Sequence, residues 1–423
     1  MSVRFRFGWV DAGPSPDILA QSTMATLSVE AGGATVTSVL DRGNRIYSNE
    51  VVVPLFGVAE WLVTNWWHIW YEIEDTGEQR PEFASRHNLA FAADGFVLPS
   101  LTMTAASGRM QLRWAAYKPQ HARIEFVDDG SERVARAELE TELRTLIDAV
   151  IERLHGRPDT ATAADNLARD WHAVNDLDAE EIEFSRAAAL LGVDPFHVQD
   201  PVADAIVAFW ERAAPSLRDD ALASATADSL PRVAAWLDDA MEALPENGNN
   251  NDWPDVRRTL PPSPTVEPWS RGYALARATR TLLGVDDGPI DLPQHGALAI
   301  PHHETRPPSS RIHGLVAAHA PACATPPRKE SGKRFLLARA LGDYLGRPTP
   351  ELAILTSLAT DRQAQTRAFA AELLAPAESL RRRIASDSID IEQTEDLGRE
   401  FRVSTELIRR QIQNHKLARI APY

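Results

Sequence analysis

The chain has 423 residues, 44% of them hydrophobic and 11 of them Trp, which is apolar mass enough for roughly two to four packed domains. Sixty acidic against 44 basic side chains give a formal charge of −16, which argues against a broad nucleic-acid or anionic-membrane surface and leaves only local contacts of that kind. A single cysteine, Cys323, excludes an internal disulfide framework and a Cys-rich zinc site.

The first residues, Met-Ser-Val-Arg-Phe-Arg-Phe, lack the succession of charged, apolar and small residues of a secretion signal, so a cytoplasmic protein is expected. The most apolar stretch, 51–71, carries Glu60, Asn65 and His68, which is the wrong content for a bilayer span, and no membrane partner is expected. Residues 1–155 read as a mixed α/β domain, with strands predicted at 4–9, 34–40, 110–118 and 122–127. Between them Leu55, Val58, Ala59, Leu62, Trp66, Ile69 and Trp70 recur at helical spacing, and Trp61, Trp66, Trp67 and Trp70 fall within ten residues. Aromatic side chains dominate core burial, so a buried helix is one reading. The other is a ligand or partner groove lined by Trp66 and Trp70, with His68, Arg86 and His87 as polar contacts.

Apolar residues three and four apart predict a long helix over 135–154, stopped by His155-Gly156-Arg157-Pro158. A helical domain follows over 160–244, broken at Asp194-Pro195, Asp200-Pro201 and Ala214-Pro215. Its stretch 183–196 has the helix, Gly turn and Pro restart of a helix-turn-helix unit but no basic recognition helix. Residues 245–264, rich in Asn and Pro, read as a linker. The last domain, 265–423, opens on a helix at 269–283, continues through short strands at 296–300 and 312–318, and is helical from 331 onward. The fold class is therefore α+β and multidomain, predominantly helical in its middle and C-terminal regions.

Residues 333–345 carry the most informative pattern. A His-Glu-x-x-His helix sets two imidazoles on one face to bind Zn²⁺, with the Glu activating water. In this frame the three positions are Arg339, Ala340 and Asp343. A guanidinium has no lone pair for a metal and alanine cannot accept a proton, so only Asp343 retains a ligand's chemistry. The i, i+4 spacing predicts instead an Arg339–Asp343 ion pair where the metal would sit.

On three blocks the C-terminal third, 296–417, resembles the ImmA/IrrE family of bacterial zinc peptidases. Arg334-Phe335-Leu336-Leu337-Ala338-Arg339-Ala340-Leu341-Gly342-Asp343 matches the frame of the family's zinc helix without its reactive groups. Phe369-Ala370-Ala371-Glu372-Leu373-Leu374-Ala375-Pro376 matches its second signature, and in that register Gln365 stands at the third zinc ligand. Leu397-Gly398-Arg399-Glu400-Phe401-Arg402-Val403-Ser404 matches the closing region. The resemblance implies a zincin-like domain, a link to repressor cleavage and stress regulation, and, with four functional positions replaced, a pseudopeptidase: a regulatory or binding protein of bacterial stress response, prophage control or phage defence. No cofactor is expected, and the implied partner is a protein or peptide segment.

Two other constellations stay open. His295, His302, His303, Glu304, His313 and His319 lie upstream of the degenerate helix, and His302, His303 and Glu304 with Asp343 would be the ligands of a displaced zinc site in an active metallo-endopeptidase, although they fall in a Pro-rich loop that fixes no geometry. At the C-terminus, helices over 391–401 and 405–414 flank a turn at Val403-Ser404, with Arg409, Arg410, Gln411 and Asn414 exposed and Arg381-Arg382-Arg383 nearby; these suit DNA contacts of a transcriptional regulator as well as a solvated helix face. No Gly-x-Ser-x-Gly elbow or phosphate-cradling Walker loop is present, and Cys323 lies in a predicted loop. The sequence leaves oligomeric state open.

Overall fold

In the computed structural model, residues 2–421 are described apart from 12, 14, 78–80, 107, 121, 245–251, 261–266, 286, 293–297 and 385. The chain is mixed α and β and forms two compact units, Met1–Glu74 with Glu78–Ala203, and Asp75–Gly77 with Asp204–Tyr423. The helices predicted as a separate domain over 160–244 divide between them. Ala161–Asn175 and Ala179–Leu191 bury their apolar faces in the first unit, while Pro215–Ser224 and Leu230–Glu242 belong to the second. Residues 245–251 and 261–264 of the predicted linker lie outside the described residues, as does His295, but the part between them is no linker: Trp253–Thr259 is a helix that buries Trp253 in the core of the second unit. Among the described residues no helix is long and apolar enough to cross a membrane.

In the first unit, Val3–Trp9 pairs antiparallel with Met24–Ala31, which also pairs with Val51–Pro54. Alternate residues of both strands are buried, the period-2 pattern of a sheet with one face on a core. Helix Leu55–Thr64 follows the third strand directly, and Trp66–Tyr71 continues after a break at Asn65, whose side chain donates to Trp61 O at 2.9 Å. A second sheet, Ser100–Ala106, Arg109–Ala115 and Gly130–Ala135, leads straight into helix Arg136–His155. That helix buries Leu139, Leu143, Leu146, Ile147, Val150 and Leu154 along one stripe, as its spacing predicts.

The second unit is built on the sheet His302–Glu304, Cys323–Thr325, Ile312–Val316, Ala353–Thr356, in that spatial order, with only the first pair parallel. Of the strand expected over 296–300, residues 296 and 297 lie outside the described residues and 298–300 form no strand; an edge strand stands at 302–304 instead, so the Pro-rich stretch is partly a strand rather than a loop. Three helices carry the core beside this sheet: Pro268–Leu282, the motif helix Glu330–Gly346, and the signature helix Asp361–Leu374. Two glycines set their spacing. A Cβ on Gly342 would enter the Phe369 ring, and one on Gly272 would collide with the carbonyl oxygen of Gln365.

Those contacts predict unequal costs. A phenylalanine ring can shift by small adjustments, whereas a backbone oxygen moves only with its helix. Gly272→Ala is expected to cost at least about 2 kcal/mol in urea unfolding of the second unit, and more than Gly342→Ala.

Candidate functional site

The motif helix holds its central residues in the core: Arg339 and Asp343 are 1% and 2% exposed, and Ala340 is fully buried. Arg339 donates four hydrogen bonds. Nη2 reaches Gln363 Oε1 at 2.6 Å and Thr356 O at 2.9 Å, Nη1 reaches His313 Nδ1 at 2.9 Å, and Nε reaches Thr366 Oγ1 at 3.3 Å. A guanidinium only donates, so His313 Nδ1 must accept and its ring proton sits on Nε2. Burial, with Arg339 beside it, pushes His313 down to about 3 and keeps it neutral. Burial, with Arg367 nearby, likewise pulls Arg339 down to about 9, still protonated at neutral pH.

The expected Arg339–Asp343 ion pair is absent. Asp343 turns instead to Arg347, one turn further along the helix, with Oδ2 at 3.0 Å from Nε, and to Arg362, with Oδ1 at 3.3 Å from Nε. Neither carboxylate oxygen is aligned for a hydrogen bond, so the attraction is through charge alone. Burial works against the Arg362 charge, but Asp220 and Asp343 outweigh it and raise its pKa. Asp220 Oδ2 accepts from Arg362 Nη2 at 2.9 Å and from Gln363 Nε2 at 3.2 Å.

The residue facing Arg339 from the signature helix is Gln363, not the expected Gln365. Residues 363, 366 and 370 share the buried face of that helix, whereas Gln365 is half-buried with its amide beside Gly346. The Gln363 amide is fully engaged: Oε1 accepts from Thr356 N at 3.0 Å as well as from Arg339, and Nε2 donates to Ile354 O at 2.7 Å. It thus pairs with strand Ala353–Thr356 as a neighbouring backbone would. The rest of the signature block is structural too. Glu372 accepts from Ala377 N, Arg277 Nε and Gln411 Nε2, tying three other helices to its own.

The displaced zinc set is not assembled. His302, His303 and Glu304 sit on the edge strand, and among the described residues no three His, Cys, Asp or Glu side chains converge as a metal site. Cys323 is fully buried, and burial pushes its thiol up to about 12.

The C-terminal helices Ile391–Phe401 and Thr405–Asn414 form where expected, with Arg402 left-handed at φ 54° in the turn and Ser404 capping the second helix. Arg409 and Arg410 are exposed, Arg410 in an ion pair with Glu406. Gln411 is not exposed as predicted, because Glu372 and Ala375 O draw it inward. The first helix of the pair exposes Glu392, Glu395, Asp396 and Glu400, which a DNA backbone would repel.

In the first unit Trp66 and Trp70, 4% and 2% exposed, are core rather than groove lining. Trp66 packs edge-on to Trp70 and Trp171, and Arg136 lies over Trp70. The polar residues named with them do come together, around a carboxylate that the sequence reading missed. Glu72, one turn after His68, accepts from Arg86 Nε at 2.8 Å and lies 3.3 Å from His87 Nε2 and 3.2 Å from His68 Nδ1. His87 Nδ1 donates to Met103 O at 2.8 Å, anchoring the cluster to the second sheet. The i, i+4 spacing of His68 and Glu72 on an apolar helix was the available signal. Burial opposes the Glu72 charge, but contacts from His68, His87 and Arg86 outweigh it and hold the carboxyl far below the usual range.

A depressed carboxylate stabilises fully above its unfolded pKa, and that contribution is lost as pH falls through the folded value. The first unit is therefore expected to lose stability below about pH 5, by up to about 1.4 kcal/mol per pH unit from this group. Glu72→Gln should flatten that slope in urea titrations followed by tryptophan fluorescence. Comparison with protein-family models, with curated proteins and with solved structures returned no match to this chain.

Proposed function

We propose that this chain is a catalytically inert regulatory protein that binds a protein or peptide segment, built on a zincin-like scaffold of the ImmA/IrrE kind in which an arginine cage stands in place of the metal centre. The observation that carries this reading is the engagement of Arg339 with His313, Thr356, Gln363 and Thr366. A zinc centre needs lone pairs from about three side chains and a base for water. Here Arg339 has none to offer, Ala340 cannot act as a base, Asp343 is held between two guanidinium groups, and the Gln363 amide is bound to backbone and Arg339. The surrounding packing is nonetheless complete, so what the fold supplies is shape. By the same resemblance the setting is bacterial stress response, prophage control or phage defence. The acidic helix beside the C-terminal turn weighs against the DNA-binding alternative.

Plasma mass spectrometry of the purified chain is expected to find less than about 0.1 zinc per molecule, against the near-stoichiometric metal of a closed protein site. Gln363→Glu, which supplies a carboxylate facing the motif helix, is expected to lower stability by roughly 2 kcal/mol without acquiring zinc, because it removes one of the two donors to Ile354 O and sets a second carboxylate beside Asp220. Stoichiometric zinc in either protein, or metal-dependent peptide cleavage, would overturn the reading.

A further inference from the structure

The second unit contains three residues from far upstream in the chain. Asp75–Gly77 lies antiparallel to the backbone that continues strand Ala353–Thr356, with Asp75 bridged to Leu358. Thr76 donates twice to Ser357 O, from its amide at 3.2 Å and from its hydroxyl at 2.6 Å. The Asp75 carboxylate pairs with Arg311 Nε at 3.1 Å, with side chains 3% and 9% exposed, and its other oxygen accepts from Gly77 N at 2.9 Å. Arg311 is itself fixed by donating to Ala223 O.

This carboxylate also acts through space on Arg367 and His313. Arg367 donates to Leu358 O through both Nη atoms, and Asp75 favours the charged forms of Arg367 and His313 against burial. Among the described residues neither Arg339 nor Arg367 has a carboxylate in ion-pair contact. Arg311, paired with Asp75, and Arg367, on Leu358 O, therefore flank a place suited to one anionic group on an extended backbone. Backbone pairing at a sheet edge accepts many sequences, so selectivity rests on the carboxylate.

We propose that the Ser357–Leu358 edge is a docking site for an extended peptide bearing a carboxylate, and that Asp75–Gly77 is its built-in occupant. The inference rests on the segment-binding reading above and names the chemistry of the segment. A tethered occupant competes at high effective concentration, so an external peptide binds only in proportion to the time the edge is free. Weakening the tether must strengthen binding from outside, the opposite of what mutating an ordinary contact residue does.

The test uses a fluorescein-labelled peptide of residues 72–77, Glu-Ile-Glu-Asp-Thr-Gly, titrated by fluorescence anisotropy into the full chain and into its Asp75→Asn variant. The variant is expected to bind at least about tenfold tighter than the unaltered chain, in line with loss of one buried charge pair. Replacing the peptide's Asp by Asn should abolish that gain. Thr76→Ala, at an exposed residue, should give a smaller gain in the same direction and serves if Asp75→Asn does not fold. Equal affinity for tethered and weakened chains, or indifference to the peptide's Asp, would sink the docking proposal. No binding to any of these proteins, with zinc absent, would sink it too while leaving the inert-centre reading standing; zinc-dependent cleavage of the peptide would remove that reading itself.

Discussion

A guanidinium taken out of water must find acceptors for its N–H groups, and Arg339 finds them without a carboxylate in contact. The four acceptors come from three elements: strand Ile312–Val316 through His313, strand Ala353–Thr356 through a carbonyl, and the signature helix through Gln363 and Thr366. Each is neutral, so the arrangement draws on hydrogen-bond geometry more than on charge, and geometry demands that sheet and helices keep their spacing. Gly272 and Gly342 provide that spacing by letting Gln365 and Phe369 approach closely. The Arg339 cage thus does mechanically what a metal does in a zinc site, joining a helix to the elements around it.

The acids nearby serve a second purpose. Asp343 and Asp220 bracket Arg362, and Asp343 also holds Arg347, so the region balances its charges in pairs while Arg339 and Arg367 remain surplus cations near the Ser357–Leu358 edge. Removing one member of a buried pair costs more than the pair itself contributes, because the partner is left charged and dry. The first unit solves a similar problem differently, gathering His68, Arg86 and His87 around the single buried carboxylate of Glu72.

Local pattern made much of this legible. Alternation marked Val3–Trp9, helical spacing marked Arg136–His155, and the zinc-helix frame marked the segment that became Glu330–Gly346. What stayed hidden depends on contacts between distant residues. Helix spacing alone set Arg339 opposite Asp343, but Arg347 and Arg362 compete for the carboxylate, and Arg362 lies in another helix. Gln363 and Gln365 differ in which face of one helix they occupy, a distinction that only the direction of the core decides. Asp75 carried no signal at all, since its role exists only once Arg311 and Leu358 are brought beside it. The helices over 160–244 read alike in sequence because amphipathic spacing does not say which core a face will join.

The central claim is that the Arg339 guanidinium, by its shape and not only its charge, holds the second unit together. Urea unfolding of Arg339→Lys tests it most directly, since lysine keeps the charge but presents a compact ammonium that cannot reach His313, Thr356, Gln363 and Thr366 at once. The account predicts a loss of about 3 kcal/mol from the unit's unfolding free energy. A variant within about 0.5 kcal/mol of the unaltered protein would contradict it.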